Sequence, residues 1–354
     1  MDKGIDKGKQ RTLERLFEKG EKTKSYPIGE NDLVRINDCR ACGSKNISLI
    51  TELYLKDSLN FFSTCSCNDC LYTFRSISPS FDWFKKCWKQ IEDENLEVFN
   101  PSIEEIRKKR YGEYKELLSG HFSGKNVLDI GSAYGTGAKV FSDSGFVVSS
   151  IEPEANKAKY IEKKLGIPVV GGSIEEFVFK KNGFDLVLMA HCLEHIDNPF
   201  PVIKQMKNII NEGGILYLEI PTLWNHVTWT DALYLTHKSN FIESNITKLV
   251  HQSGFEILEE KFFRHSEEEP IGLGLILRRR KGPAKKYKFS DKRNIINVKE
   301  QYRKNIPLEA VPPLDQVLRY SVNSIEHFYQ TVRLDNKILM CPDKERGFIR
   351  FLAK

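Results

Sequence analysis

Between residues 125 and 280 the chain alternates short apolar runs with stretches whose apolar residues recur every three or four positions. Apolar runs fall at 127–130, 147–151, 168–173, 184–190 and 213–221, with helical patterns between them, as over 199–210. Short apolar runs bounded by Gly and Pro read as buried strands. Strands that alternate with helices predict a parallel sheet with its ligand at the carboxyl ends of the strands. Two further runs, 255–263 and 271–277, read as the last strands of that sheet.

Outside this block the pattern is weaker. Residues 1–30 form a charged arm in which Leu13, Leu16 and Phe17 could make a short amphipathic turn. After 280, a helical pattern over 314–332 and short apolar runs at 338–340 and 348–351 predict one helix and two strands. This extension, 281–354, would cap a pocket or form a homodimer contact. No apolar run is long enough for a membrane span, and residues 1–24 lack the apolar centre of a secretory signal. A cytoplasmic location is the expectation.

Composition changes the picture little. The 354 residues are 40% hydrophobic, enough for a proper core, and the length favours two or three units. The net charge of +6 gathers in the N-terminal arm and in a basic run over 278–288. That run lacks the aromatic motifs of nucleic-acid binders and reads as a solvated linker. No nucleic-acid partner is expected.

The candidate chemistry begins at Asp129-Ile130-Gly131-Ser132-Ala133-Tyr134-Gly135-Thr136-Gly137. The run reads as a strand end, a glycine loop and a helix start. Glycines allow the sharp turn and close ligand approach, and a helix start leaves N–H groups unpaired. The spacing is not that of a dinucleotide loop. Asp129 would repel a pyrophosphate there but suits a cationic amino group, as on the methionine end of S-adenosylmethionine. Glu152 ends the next predicted strand, where it can accept both ribose hydroxyls, and Pro153 closes that strand.

A second signal is a pair of C-x-x-C turns, Cys39–Cys42 and Cys67–Cys70, among eight cysteines. Four thiolates compose a closed structural zinc site with no open catalytic position. Cys65 is an alternative ligand beside the second turn, and a redox role is the rival reading. Cys87, Cys192 and Cys341 have no partner at ligand spacing.

Residues 125–280 resemble class I S-adenosylmethionine-dependent methyltransferases, through VLDIGSAYGTG, the acid in SIEPE, FDLVLMAHCLEHIDNP and NEGGILYLEIP. The resemblance implies a Rossmann-like α/β sheet of seven strands, the last one antiparallel. It implies cofactor contacts at Asp129, Gly131, Ser132, Ala133, Gly135, Glu152, Pro153, Ser173, Ile174, Ala190 and His191. Ser173 stands where relatives carry an adenine-binding Asp, and Ala133 where they carry Gly.

With its paired C-x-x-C turns, the chain is similar over residues 35–280 to zinc-ribbon methyltransferases that include sugar C-methyltransferases. That similarity implies a zinc ribbon (31–80), a helical linker (81–122) and a methyltransferase domain (123–280), set between the charged arm (1–30) and the extension (281–354), which the resemblance does not place. Linker helices fall at 81–88 and 103–118. Phe81, Trp83, Phe84 and Trp88 are read there as core packing.

Catalysis is then expected from His191, which follows the fourth strand, and from Tyr234 and His237, which match the Y-x-x-H of those relatives. His237 would be the general base. Leu235 stands where the fuller motif has a second histidine. Glu194 and His195 are read as capping and packing, and a metal there is disfavoured because His191 replaces an acid. The implied reaction is methyl transfer to a sugar or nucleotide-linked sugar. The alternatives are O- or N-methylation of another small metabolite or lipid-linked glycan, or a non-catalytic zinc-binding scaffold.

Overall fold

The computed structural model describes residues 12–17, 22–55, 60–93, 99–177, 183–225, 235–264, 272–282, 295–305, 331–334, 337–340 and 347–351. In chain order the strands are β1 (Thr12–Phe17), β2 (Lys22–Pro27), β3 (Leu33–Arg35), β4 (Ile47–Leu55), β5 (Asn60–Cys67) and β6 (Thr73–Pro79). Helices α1 (Phe81–Asp93) and α2 (Pro101–Leu118) follow. Next come β7 (Asn126–Ile130), α3 (Thr136–Asp143), β8 (Val147–Ile151), α4 (Ala155–Tyr160), β9 (Val169–Gly171), β10 (Phe184–Ala190), α5 (Pro199–Ile209) and β11 (Ile210–Pro221). The chain continues through β12 (Ser239–Asn240), α6 (Glu243–Gln252), β13 (Phe255–Phe263), β14 (Gly272–Arg279), α7 (Ile295–Asn305), β15 (Thr331–Leu334), β16 (Lys337–Met340) and β17 (Gly347–Phe351).

Seven strands form the central sheet in the order β13-β14-β11-β10-β7-β8-β9. β14 runs antiparallel to both neighbours, and the pairs from β11 to β9 are parallel. β7, β8 and β10 therefore present their carboxyl ends along one edge, where Asp129, Glu152 and His191 lie at or just past the tips. Leu128, Val187, Leu216 and Leu218 face one core layer, and Val127, Leu186, Leu188 and Tyr217 the other. That alternation along each strand is why these runs are mostly apolar, since both faces are covered.

The N-terminal cysteine segment is built into a second sheet, ordered β12-β6-β5-β4-β17, with β3 also on β6. β12 comes from the loop after β11, so this sheet draws a strand from the methyltransferase-like part of the chain. The two parts also share one buried core, in which Cys39, Cys67, Tyr72 and Phe74 join Ile130, Met189 and Leu218.

Two expectations change. The Leu13–Phe17 stretch is a β-strand paired with β2, not an amphipathic turn. Spacing of three apolar residues cannot separate the two, and the pairing decides. The arm is also anchored at its end: Trp83 donates from Nε1 to the Pro27 carbonyl at 2.7 Å, and Tyr26 packs edge-on against its ring. The basic run differs as well. Arg278, Arg279 and Arg280 donate to the carbonyls of His121, Ile210 and His251, so these arginines cap element ends. Residues 314–330 of the predicted 314–332 helix lie outside the described residues, and its last two, Thr331 and Val332, fall in β15. The predicted runs at 338–340 and 348–351 fall within β16 and β17.

Candidate active site and cysteine centre

At the tip of β7, Asp129 is fully buried. Its Oδ1 accepts from Tyr111 Oη at 3.3 Å, and its Oδ2 has no hydrogen-bond partner. Burial raises its carboxyl to about 6, against the Tyr111 hydrogen bond, which lowers it. A buried carboxylate with one oxygen unsatisfied is costly unless a ligand completes it.

The loop that follows is shaped by left-handed residues. Gly131, Ala133 and Gly135 have φ of 78°, 51° and 74°. A Cβ on Gly135 would meet Ile161 and Leu165 at 2.8 Å. Ala133 carries a side chain in that conformation, at a cost of roughly 1–2 kcal/mol. Its N–H donates to Glu152 Oε2 at 2.7 Å, and Glu154 N–H donates to Glu152 Oε1 at 3.0 Å. Burial lifts Glu152 to about 7.

Ser132 hydroxyl closes the turn on the Asp129 carbonyl at 2.8 Å. Ser173 Oγ accepts from Glu175 N–H at 3.2 Å, and Ile174 beside it is buried. Pro153, just after Glu152, and Ala190, just before His191, are half-buried.

Helix α2 closes over this loop. Asn100 caps it, accepting from the N–H groups of Ser102 and Ile103, and Pro101 occupies its first turn. Tyr111 reaches Asp129, and Glu104 accepts from Thr136 Oγ1. A Cβ on Gly137 would lie 2.1 Å from the Tyr111 ring, so this glycine makes room for the helix. Phe99, Tyr134 and Tyr160 form an aromatic group beside the loop, with centroids 5.2–5.7 Å apart.

His191, at φ 51°, turns back from the end of β10. Its Nε2 lies 3.0 Å from Glu219 Oε1, and its Nδ1 lies 3.7 Å from Glu194 Oε1. Glu219 is fully buried and also accepts from Tyr217 Oη at 2.6 Å. Burial disfavours the imidazolium, but the carboxylates of Glu194 and Glu219 outweigh it and raise His191 to about 9. His191 is therefore a cation at neutral pH. Glu219 was missed in the sequence, although a lone acid in an otherwise apolar strand run was the available signal.

On the other side, His195 and His237 meet edge to face with centroids 4.8 Å apart, and His195 Nδ1 lies 3.2 Å from the Thr236 carbonyl. Glu194 is buried, and ligand atoms of Glu194, His195 and His237 all lie within 4.8 Å of one another. Glu194 and His195 thus converge on His237, which packing of the next helix does not require. Tyr234 lies outside the described residues.

The cysteines gather as the spacing predicts. Cys39, Cys42, Cys67 and Cys70 have their sulfurs within 4.8 Å of one another, with Cys39–Cys70 at 3.5 Å and Cys42–Cys67 at 3.6 Å. A tetrahedral ion with Zn–S of 2.3 Å would set sulfurs about 3.8 Å apart, so the cluster fits one zinc. The two turns repeat one pattern: Gly43 N–H donates to the Cys39 carbonyl and Leu71 N–H to the Cys67 carbonyl. Both residues are left-handed, at φ of 74° and 57°. Cys65 is outside the group and bonds Ser76 Oγ at 3.1 Å.

A family model described as a methyltransferase domain matches residues 103–260. The ubiquinone biosynthesis O-methyltransferase of Escherichia coli is 29% identical over 136 residues, covering 37% of this chain and 54% of that protein. An uncharacterized protein of Methanocaldococcus jannaschii is 26% identical over 140 residues, covering 40% of this chain and 60% of that protein. The chain thus spans little more than half the length of these curated relatives. A SAM-dependent methyltransferase structure from Archaeoglobus fulgidus matches with a TM-score of 0.43 at 18% identity, over 49% of this chain and 93% of that one. The family-model match thus marks residues 103–260 as similar to a methyltransferase domain. Among the described residues, no helix is long and apolar enough to cross a membrane.

Proposed function

We propose that this chain is an active S-adenosylmethionine-dependent methyltransferase whose acceptor is a sugar or nucleotide-linked sugar. The observation that carries the cofactor assignment is Asp129, a buried acid with one unsatisfied oxygen behind a glycine loop. Bound S-adenosylmethionine supplies an activated methyl group. Asp129 would hold its amino group and Glu152 its ribose hydroxyls. Gly131, Ser132, Ala133 and Gly135 would line the amino-acid end, and Ser173, Ile174, Pro153 and Ala190 the nucleoside.

Transfer to an activated methyl needs positioning and removal of the acceptor proton. His237 is the group we assign to take that proton, with Tyr234 orienting the acceptor. His191 acts otherwise. Its two carboxylates keep it charged, so it fixes the strand tip and balances Glu194 and Glu219 rather than accepting a proton. The four-cysteine centre holds a structural zinc, since four thiolates leave no place for a substrate.

The sugar acceptor is supported by the Y-x-x-H resemblance and the paired C-x-x-C turns. Transfer of labelled methyl from S-adenosylmethionine to a panel of nucleotide sugars tests it, with His237→Ala as control. Turnover by wild type that drops at least about a hundredfold in the variant, at unchanged cofactor affinity, supports the reading. Near-normal turnover by the variant removes His237 from its role.

A second reading is favoured by the convergence of Glu194, His195 and His237, which could share a divalent cation that binds the acceptor. Metal analysis separates the two: one bound ion per chain favours the base, two favour the cation.

A further inference from the structure

The cysteine centre and the His237 segment are joined by a short run of contacts. Two residues beyond Cys70, Tyr72 Oη pairs with Ser239 Oγ at 2.5 Å in a buried position. β6 starts at the next residue and pairs with β12, setting Thr73 opposite Asn240 and Phe74 opposite Ser239. The turn that would wrap the ion therefore leads directly into the strand that holds the residues after His237.

Lys238 completes the tie. Its N–H donates to the Glu194 carbonyl at 2.7 Å, and its own carbonyl accepts from Arg75 N–H at 2.9 Å. Its side chain is only 7% exposed. It donates to the Pro79 carbonyl at 2.5 Å and to Ser78 Oγ at 3.0 Å, and lies 3.4 Å from Asp197 Oδ1. The Asp197 carbonyl accepts in turn from Arg40, inside the first cysteine turn, at 2.9 Å. Burying an ammonium is costly unless it is well paired, and this one is paired to β6 on one side and to the segment after His195 on the other. The Lys238 backbone thus holds Glu194 and Arg75, while its side chain ties the end of β6 to the segment after His195. The carboxylates of Asp129 and Glu152 accept instead from Tyr111, Ala133 and Glu154.

We propose that Lys238 is a positioning residue that, with strand β12, ties His237 to the metal-bound cysteine turn. The state of the cysteine centre then sets the acceptor side of the pocket and leaves the cofactor side alone. This rests on the readings of the cysteines as a zinc centre and of His237 as the acceptor-side base.

The test uses the full chain with 15N-labelled histidine, in three forms: zinc-loaded, stripped with EDTA under a thiol reductant, and zinc-loaded Lys238→Met. Ring-nitrogen signals are followed by NMR, His237 being assigned through His237→Gln, and S-adenosylhomocysteine binding is measured by calorimetry on each form. Stripping and Lys238→Met are both expected to move the His237 ring signals and to speed amide exchange over 236–241 about tenfold or more. His191 signals stay in place, and S-adenosylhomocysteine affinity stays within about threefold. With an acceptor in hand, Lys238→Met lowers kcat at unchanged KM for the cofactor.

Unchanged His237 signals in Lys238→Met overturn the proposal. A parallel loss of S-adenosylhomocysteine binding also overturns it, because the module would then support the whole domain. Should stripping unfold the chain, the zinc-loaded Lys238→Met form decides alone. Absence of S-adenosylhomocysteine binding in the zinc-loaded wild type defeats the methyltransferase reading instead, and the His237 signals still judge the tie.

Discussion

Asp129 and His191 sit on neighbouring strand tips with opposite electrostatic fates. Burial alone raises Asp129 to about 6, so its ionised form costs folding energy until a cation arrives. Asp129→Asn is expected to raise stability by roughly 1–2 kcal/mol while weakening cofactor binding on the order of thirtyfold or more. Chemical denaturation beside ligand titration checks both signs at once. His191 behaves in the reverse way, because its pKa is raised to about 9 by carboxylates. Its contribution is fully present below the ordinary histidine value near 6.5 and is lost as pH rises through about 9. Wild-type melting temperature should therefore fall between about pH 7 and 9.5, and His191→Gln should lack that limb. A variant retaining the alkaline drop would place its origin elsewhere. None of this is readable from HxLEH, since the sequence shows His191 and Glu194 but not Glu219 closing on them from the adjacent strand.

At the scale of elements, α2 is held on the cofactor loop by a glycine. Gly137→Ala would put a methyl 2.1 Å from the Tyr111 ring. Tyr111 must then leave Asp129, and the helix must shift. The expected cost is about 2 kcal/mol with a clear rise in the cofactor dissociation constant, measured by thermal unfolding and calorimetry. If Gly137→Ala instead binds S-adenosylhomocysteine as wild type does, α2 has no part in closing the loop. The central strands were readable because apolar runs covered on both faces leave few alternatives. Gly137 was visible only as part of a small-residue run, since its need for space comes from a helix some twenty residues upstream. The pairing of β1 with β2 escaped for the opposite reason: its apolar residues fit a turn or a strand equally well.

Across the whole molecule, the cysteine segment and the methyltransferase domain share a core and a sheet. The four cysteines were predicted to gather from spacing alone, and the structure brings the same four together while leaving Cys65 aside. What spacing could not reveal is where the module docks, because β12 lies in a loop without any strand pattern. Substituting Cys70→Ser is expected to lower zinc content and to destabilise the chain by several kcal/mol, as loss of a closed metal site does. Metal analysis with denaturation follows it, and full zinc content in that variant would favour another ligand set.

The central claim is that Asp129 and Glu152 form a cofactor site that works when ionised. It is tested most directly by calorimetric titration with S-adenosylhomocysteine from pH 5 to pH 8, on wild type and Asp129→Asn. The account predicts wild-type affinity that is steady above about pH 7 and falls as pH drops through 7 to 6, where both acids take up protons. The Asp129→Asn protein should bind weakly throughout, with a shallower slope. Absent binding by the folded wild type, or equal affinity in the variant at every pH, would contradict it.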